Sequence, residues 1–111
     1  MVDKKVEEKI EQLQALENNL QHLTMQKKTL QSQLIEITNA LEELGKKPKQ
    51  VFKLVGPVMI EGDIKNLEKD LNEKKEIIEV KLKNVEKQEE KLKETLQKTQ
   101  SEVLEDIKKN E

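Results

Sequence analysis

The 111-residue chain has no cysteine, tryptophan or tyrosine, one phenylalanine, three glycines and two prolines. The lack of cysteine rules out disulfides and thiolate metal sites, and it suits a reducing compartment. Aromatic bulk is nearly absent, and hydrophobic residues make up 33% against 40% charged. That is too little apolar material for a globular core, so an extended molecule is expected. No charge of one sign dominates: 21 basic residues face 23 acidic ones, for a net charge of −2. Such a balance offers no excess with which to release counterions from nucleic acid or to hold an anionic membrane, and neither is expected as a partner. Long hydrophobic runs are missing too. The longest near-apolar stretch, Leu54 to Ile60, is far short of the roughly 20 residues that span a bilayer, and Met1 to Lys9 is charged where a signal peptide would be apolar. A soluble, cytoplasmic protein is the expectation.

The same scarcities limit chemistry. Gly45, Gly56 and Gly62 are too few and too scattered to build a P-loop or a dinucleotide fingerprint. His22 is the sole histidine and falls on the solvent side of a helix, with no second imidazole or thiolate to complete a transition-metal site. The acidic residues sit on solvated helix faces without a concave site to shift their titration. No catalytic, cofactor-binding or metal-binding residue is expected, and the chain is not expected to be an enzyme.

What the chain does have is two long heptad-patterned segments. In the first, Val6, Leu13, Leu20, Lys27, Leu34 and Leu41 occupy a positions, and Val2, Lys9, Leu16, Leu23, Leu30, Ile37 and Leu44 occupy d positions. Gly45 and Pro48 follow as a stop signal, which predicts a helix over roughly Val2 to Leu44. Asp63 is the expected N-cap of the second helix, whose stripe begins at Ile64, Leu67, Leu71 and Ile78. It continues through Leu82, Val85, Leu92, Leu96 and Val103, with Glu89, Thr99 and Asp106 as polar gaps. A change of winding is expected near Lys74 to Ile78, with a looser seam beyond. Lys9, Lys27 and Lys74 interrupt the apolar stripes and are expected to snorkel and fix register. Acid-before-base pairs four residues apart, such as Asp70/Lys74 and Glu105/Lys109, support the second helix nearly to the C-terminus.

Between the helices lies VFKLVGPVMI, Val51 to Ile60. Its β-branched and apolar residues, broken by Gly56-Pro57, predict a β-hairpin with strands at Gln50 to Val55 and Val58 to Glu61. The expected fold is mainly α: a long antiparallel two-helix coiled coil with one β-hairpin at the turn-around end. One domain is expected, with helix 1–45, hairpin 46–62 and helix 63–111, and both termini at the tip opposite the hairpin. Val51, Phe52, Leu54, Val55, Val58, Met59 and Ile60 make both faces of the ribbon apolar, and a lone two-stranded ribbon is marginal in water. Strand addition between chains is therefore expected, several chains sharing one sheet or barrel. The competing possibility is a hairpin folded privately onto its own helices.

The hairpin residues Val51, Phe52, Lys53, Leu54, Gly56, Pro57 and Val58, preceded by the helix ending LEEL at Leu41 to Leu44 and followed by a second heptad helix, resemble the β class of prefoldin subunits. Within that class the likeness is nearest to the eukaryotic subunit 6 type. The resemblance covers essentially the whole chain. It implies a subunit of a hexameric, ATP-independent holdase whose hairpins join in an intersubunit β-barrel. The implied partners are other prefoldin subunits of the α and β classes, non-native clients (actin and tubulin in eukaryotes) and a group II chaperonin. No cofactor is implied. The client-binding candidates lie at the free tip: Val2, Val6 and Ile10 of the first helix with Val103, Leu104 and Ile107 of the second. Ile10 and Leu104 are expected to be partly exposed. Two other classes compete with this reading. A purely structural coiled-coil module would tolerate loss of the hairpin, and an RNA-gripping helical arm would need a basic stripe that this sequence lacks.

Overall fold

In the computed structural model, which describes residues 3–109, two long helices flank a single hairpin: α1 (Lys4–Gly45), β1 (Phe52–Val55), β2 (Val58–Glu61) and α2 (Ile64–Lys109). The helices contain 42 and 46 residues, or about 63 and 69 Å at 1.5 Å per residue. Asp3 caps α1. Its Oδ1 accepts the Lys5 N–H at 2.6 Å and the Val6 N–H at 3.4 Å, and its carbonyl accepts the Glu7 N–H at 3.1 Å. Asp63 stands where the sequence places it, immediately before α2, with its carbonyl accepting the Leu67 N–H at 2.9 Å. Among the described residues, no helix is long and apolar enough to cross a membrane.

The end of α1 differs in detail from expectation. Gly45 is its last residue, and the left-handed conformation falls on Lys47, at φ 54°, immediately before Pro48. Tight i to i+3 bonds from Lys46 N to Glu43 O and from Lys47 N to Leu44 O close the helix instead of a glycine cap.

The chain divides into two compact units, one formed by the residues up to Lys28 and from Lys83 onward, the other by Thr29–Leu82. In the first unit the helices run antiparallel, since Lys9 bonds Asp106 while Lys27 bonds Glu89. Val6 and Val103 are buried there, and Leu13, Leu16, Leu20 and Leu23 are half-buried, facing a stripe of Val85, Leu92 and Leu96. In the second unit Leu44 shares a groove with Leu71, and Ile37 shares another with Ile78. Leu44 and Ile78 are the buried residues of that unit.

All the described a and d positions of α1 are covered, as the heptads require. The α2 stripe is more regular than its composition suggests. The covered positions step from Leu71 to Lys75 and then to Ile78, and from Ile78 to Asp106 they alternate by four and three without a break. The single irregular step is thus an extra four-residue spacing at Leu71–Lys75. It leaves Lys74 exposed and half-covers Lys75, so Lys74 is not the seam residue the sequence suggested. The polar gaps are not loose either. Glu89 and Thr99 are buried, and Asp106 is half-buried.

Candidate functional site

The hairpin closes on a two-residue loop. Val55 pairs with Val58, Leu54 with Met59, Lys53 with Ile60 and Phe52 with Glu61. Gly56 sits at φ 59° in the first loop position, and the Pro57 ring fixes a negative φ in the second, the sign pattern of a type II′ turn. Such a turn matches the twist of the flanking strands, so the GP dipeptide sets the register by itself. One step beyond the strands, Gly62 N donates to Val51 O at 2.9 Å. Gly62 also lets Leu67 approach, because a Cβ built on it would lie 3.0 Å from Leu67 Cδ1.

Because Val51 and Gly62 are hydrogen-bonded partners, antiparallel alternation makes Lys53/Ile60 and Val55/Val58 the bonded pairs as well. The backbone N–H and C=O groups of Phe52 and Leu54 on one edge, and of Met59 and Glu61 on the other, therefore point outward from the ribbon. Side chains sort the same way. Phe52, Leu54 and Met59 share one face with Glu61, while Val55, Val58 and Ile60 share the other with Lys53. Every strand residue is exposed, Phe52 at 56% and Met59 at 72%. Val51, half-buried, joins Leu44, Pro48, Leu67 and Leu71 in a groove beside β1, and Lys53 Nζ lies 4.0 Å from Asp70 Oδ2. The hairpin is thus neither helical nor tucked against its own helices. All seven residues expected at the assembly surface are on it or at its root.

The tip candidates separate into three groups. Val6, at 1% exposure, and Val103 are buried and close the end of the coiled coil. Ile10 and Ile107 are half-buried, and Leu104 is 62% exposed. Val2 lies outside the described residues. Lys9, one turn from Val6, donates to Asp106 Oδ2 at 2.6 Å and approaches Glu102 Oε2 at 3.9 Å. That hydrogen bond and the surrounding carboxylates raise the Lys9 ammonium above the ordinary lysine range.

A second polar layer was not foreseen from the heptads. Lys27 Nζ donates to Glu89 Oε1 at 2.8 Å, and Thr24 Oγ1 lies 3.1 Å from Glu89 Oε2 and 2.9 Å from the Leu20 carbonyl. The threonine's one hydroxyl proton is divided between these two acceptors. The Lys27 hydrogen bond, aided by Thr24, holds the Glu89 carboxyl below the usual glutamate range against the opposing effect of burial, and the same bond raises Lys27. Among the described residues no cluster of His, Asp or Glu is arranged to hold a metal ion.

Two helices antiparallel within each unit and joined by an exposed hairpin with apolar side chains on both faces define the class: a coiled-coil subunit built around a β-hairpin. Residues 7–110 match the family model described as Prefoldin subunit. The chain is 31% identical over 106 residues to prefoldin subunit beta of Saccharolobus islandicus, covering 94% of this chain and 84% of that one. It is 36% identical over 97 residues to prefoldin subunit beta of Archaeoglobus fulgidus, covering 86% and 84%. The crystal structure of the prefoldin beta subunit from Thermococcus strain KS-1 superimposes with a TM-score of 0.84 at 30% identity, covering 93% of this chain and 92% of that one. The chain belongs to the prefoldin subunit family, a family of chaperones.

Proposed function

We propose that the chain is one β-class subunit of a hexameric, cytoplasmic, ATP-independent holdase that captures non-native polypeptides at its coiled-coil tips and passes them to a group II chaperonin. It acts without a cofactor and catalyses no reaction. The observation that carries the reading is the hairpin, whose six strand-borne apolar side chains are exposed on both faces while its backbone groups point outward at both edges. Covering six such side chains at about 1.5 to 3 kcal/mol each is worth on the order of 10 kcal/mol before ordering costs, enough to drive strand addition between chains. Val51, Phe52, Leu54, Val55, Val58, Met59 and Ile60 supply that contact with the other α- and β-class subunits, in a shared β-barrel.

At the tip, Leu104, with Ile10 and Ile107 beside it, supplies the client contact. Val6 and Val103 act underneath by closing the seam, and Val2 is a further candidate for the client contact. An apolar tip of roughly 100 Å² contributes about 2.5 kcal/mol at 25 cal/mol per Å², which alone is a contact in the tens of millimolar, roughly. Several arms on one body raise the effective concentration for each further contact, so binding becomes useful while every contact stays quickly reversible. Release then needs no nucleotide, only competition from the next chaperone.

The burial of Val6 and Val103 favours a second reading, a structural coiled-coil module whose apolar ends serve only to close the helix pair. Suppression of aggregation of a chemically unfolded client, measured without ATP, separates the two. The holdase reading expects suppression by the assembled wild type and its loss when residues 50–61 are replaced by a flexible turn. A structural module gives no suppression in either form.

A further inference from the structure

We infer that the four seam charges Lys9, Lys27, Glu89 and Asp106 are a pairing code that specifies which helix faces which and in what register, excluding like-with-like pairing of arms from sister chains. The code lies in one unit of the chain and does not depend on what the tips bind. Of these four, both cations sit in the α1 seam and both anions in the α2 seam, while the half-covered Lys75 of α2 belongs to the other unit. Each meets its opposite: Lys9 Nζ to Asp106 Oδ2 at 2.6 Å, and Lys27 Nζ to Glu89 Oε1 at 2.8 Å. Glu89 is 6% exposed, so its charge is tolerated only with that partner present.

The alternatives fail one by one. The α1 seam carries no acid at all, so two α1 helices, parallel or antiparallel, offer Lys9 and Lys27 no partner within the seam. Two α2 helices side by side in parallel would set Glu89 against Glu89 and Asp106 against Asp106. A slip of one heptad in the antiparallel pair would place Lys27 opposite Leu82 or Leu96 and Glu89 opposite Leu20 or Leu34, stripping all four charges of their partners. Only α1 against α2, antiparallel and in the observed register, satisfies both layers. Single polar a positions fix register and oligomer state in coiled coils at a cost in stability; here two layers of opposite sign on opposite helices also fix identity. Such a code is useful wherever several arms project together, because leucine-rich α1 stripes would otherwise pair with one another.

Two measurements on the full chain test this. In the first, Lys27→Glu lowers the thermal midpoint by several degrees, and adding Glu89→Lys restores most of the loss; failure of the swapped pair to restore it overturns the code. In the second, Leu20→Cys is placed in the α1 seam of a chain that otherwise has no cysteine, and disulfide-linked dimers are counted after mild oxidation. Combining Lys9→Leu, Lys27→Leu, Glu89→Leu and Asp106→Leu raises the thermal midpoint and increases the linked dimer severalfold, since α1 can then pair with α1. An unchanged linked fraction in that variant overturns the proposal.

Discussion

Lys27 and Glu89, 62 residues apart in sequence, meet at 2.8 Å across the seam of the helix pair, with Glu89 almost wholly buried beneath the contact. The carboxyl is held below the usual glutamate range chiefly by this hydrogen bond, so the folded arm favours the charged form. A depressed carboxyl contributes stability that is complete above its unfolded value and is lost as the pH falls through the folded one. Helix content followed by circular dichroism is expected to hold through neutral pH and to fall as acid is added below about pH 4. In Glu89→Gln the part of that acid transition due to this residue disappears. An acid midpoint identical in wild type and Glu89→Gln would show that the layer contributes nothing.

The lysines titrate with the opposite sign. Lys9 and Lys27 are raised by their carboxylate hydrogen bonds, so their contribution is complete below the ordinary lysine value and is lost as pH rises past it, above about pH 10. Lys9→Met is expected to flatten the alkaline limb of a thermal-midpoint profile and to lower the neutral plateau towards the alkaline level, since the ion pair is lost at every pH while the methionine still covers the seam.

Leu104 and Val6 lie at the same helix-pair end but are expected to respond differently to substitution. Ile10→Ser with Leu104→Ser should leave assembly and thermal stability close to wild type and weaken suppression of client aggregation. Val6→Ser removes a fully buried side chain, worth roughly 1.5 to 3 kcal/mol of local stability, and should fray the arm in hydrogen exchange. Unchanged suppression by the Ile10/Leu104 double variant would remove these residues from client binding.

On the hairpin, Met59→Glu replaces a side chain that touches little within its own chain, so helix content should be unchanged while association between chains is lost. Sedimentation velocity reads the association and circular dichroism the fold. Gly56→Ala acts through the backbone instead. No atom lies within 4 Å of the added Cβ, yet φ stands at 59°, so the cost is conformational, about 1 to 2 kcal/mol. Gly56→Asn should be milder than Gly56→Ala, since asparagine tolerates positive φ.

Much of this molecule is legible from one dimension. Every described a and d position of the α1 stripe is covered, because a 3.5-residue repeat and burial against one partner are the same fact. Gly56-Pro57 between apolar runs locates the loop and the second strand to the residue, while β1 begins at Phe52 rather than at Gln50. The polar layers were hidden because Lys9 and Lys27 interrupt one stripe while Glu89 and Asp106 interrupt another. Each looks like a flaw until the helices are set antiparallel and the interruptions coincide. Lys74 was placed in the seam by counting sevens from its neighbours, whereas an extra four-residue step gives that place to Lys75. Gly45 and Pro48 signal the stop of α1, but the residue that takes the left-handed turn is set by the two 3₁₀-type bonds, which carry it on to Lys47. Val6 and Val103 read as tip surface because apolar residues near a chain end are ambiguous between closing a seam and offering one.

Native mass spectrometry of the full chain at micromolar concentration, alone and mixed with an α-class prefoldin subunit, bears on assembly without any substitution. The exposed hairpin calls for a discrete multi-chain complex, with a hexamer formed when the α-class subunit is present. A folded monomer persisting at every concentration and with every partner would mean that the ribbon needs no neighbour, and the proposed holdase would have no body from which to hang its arms.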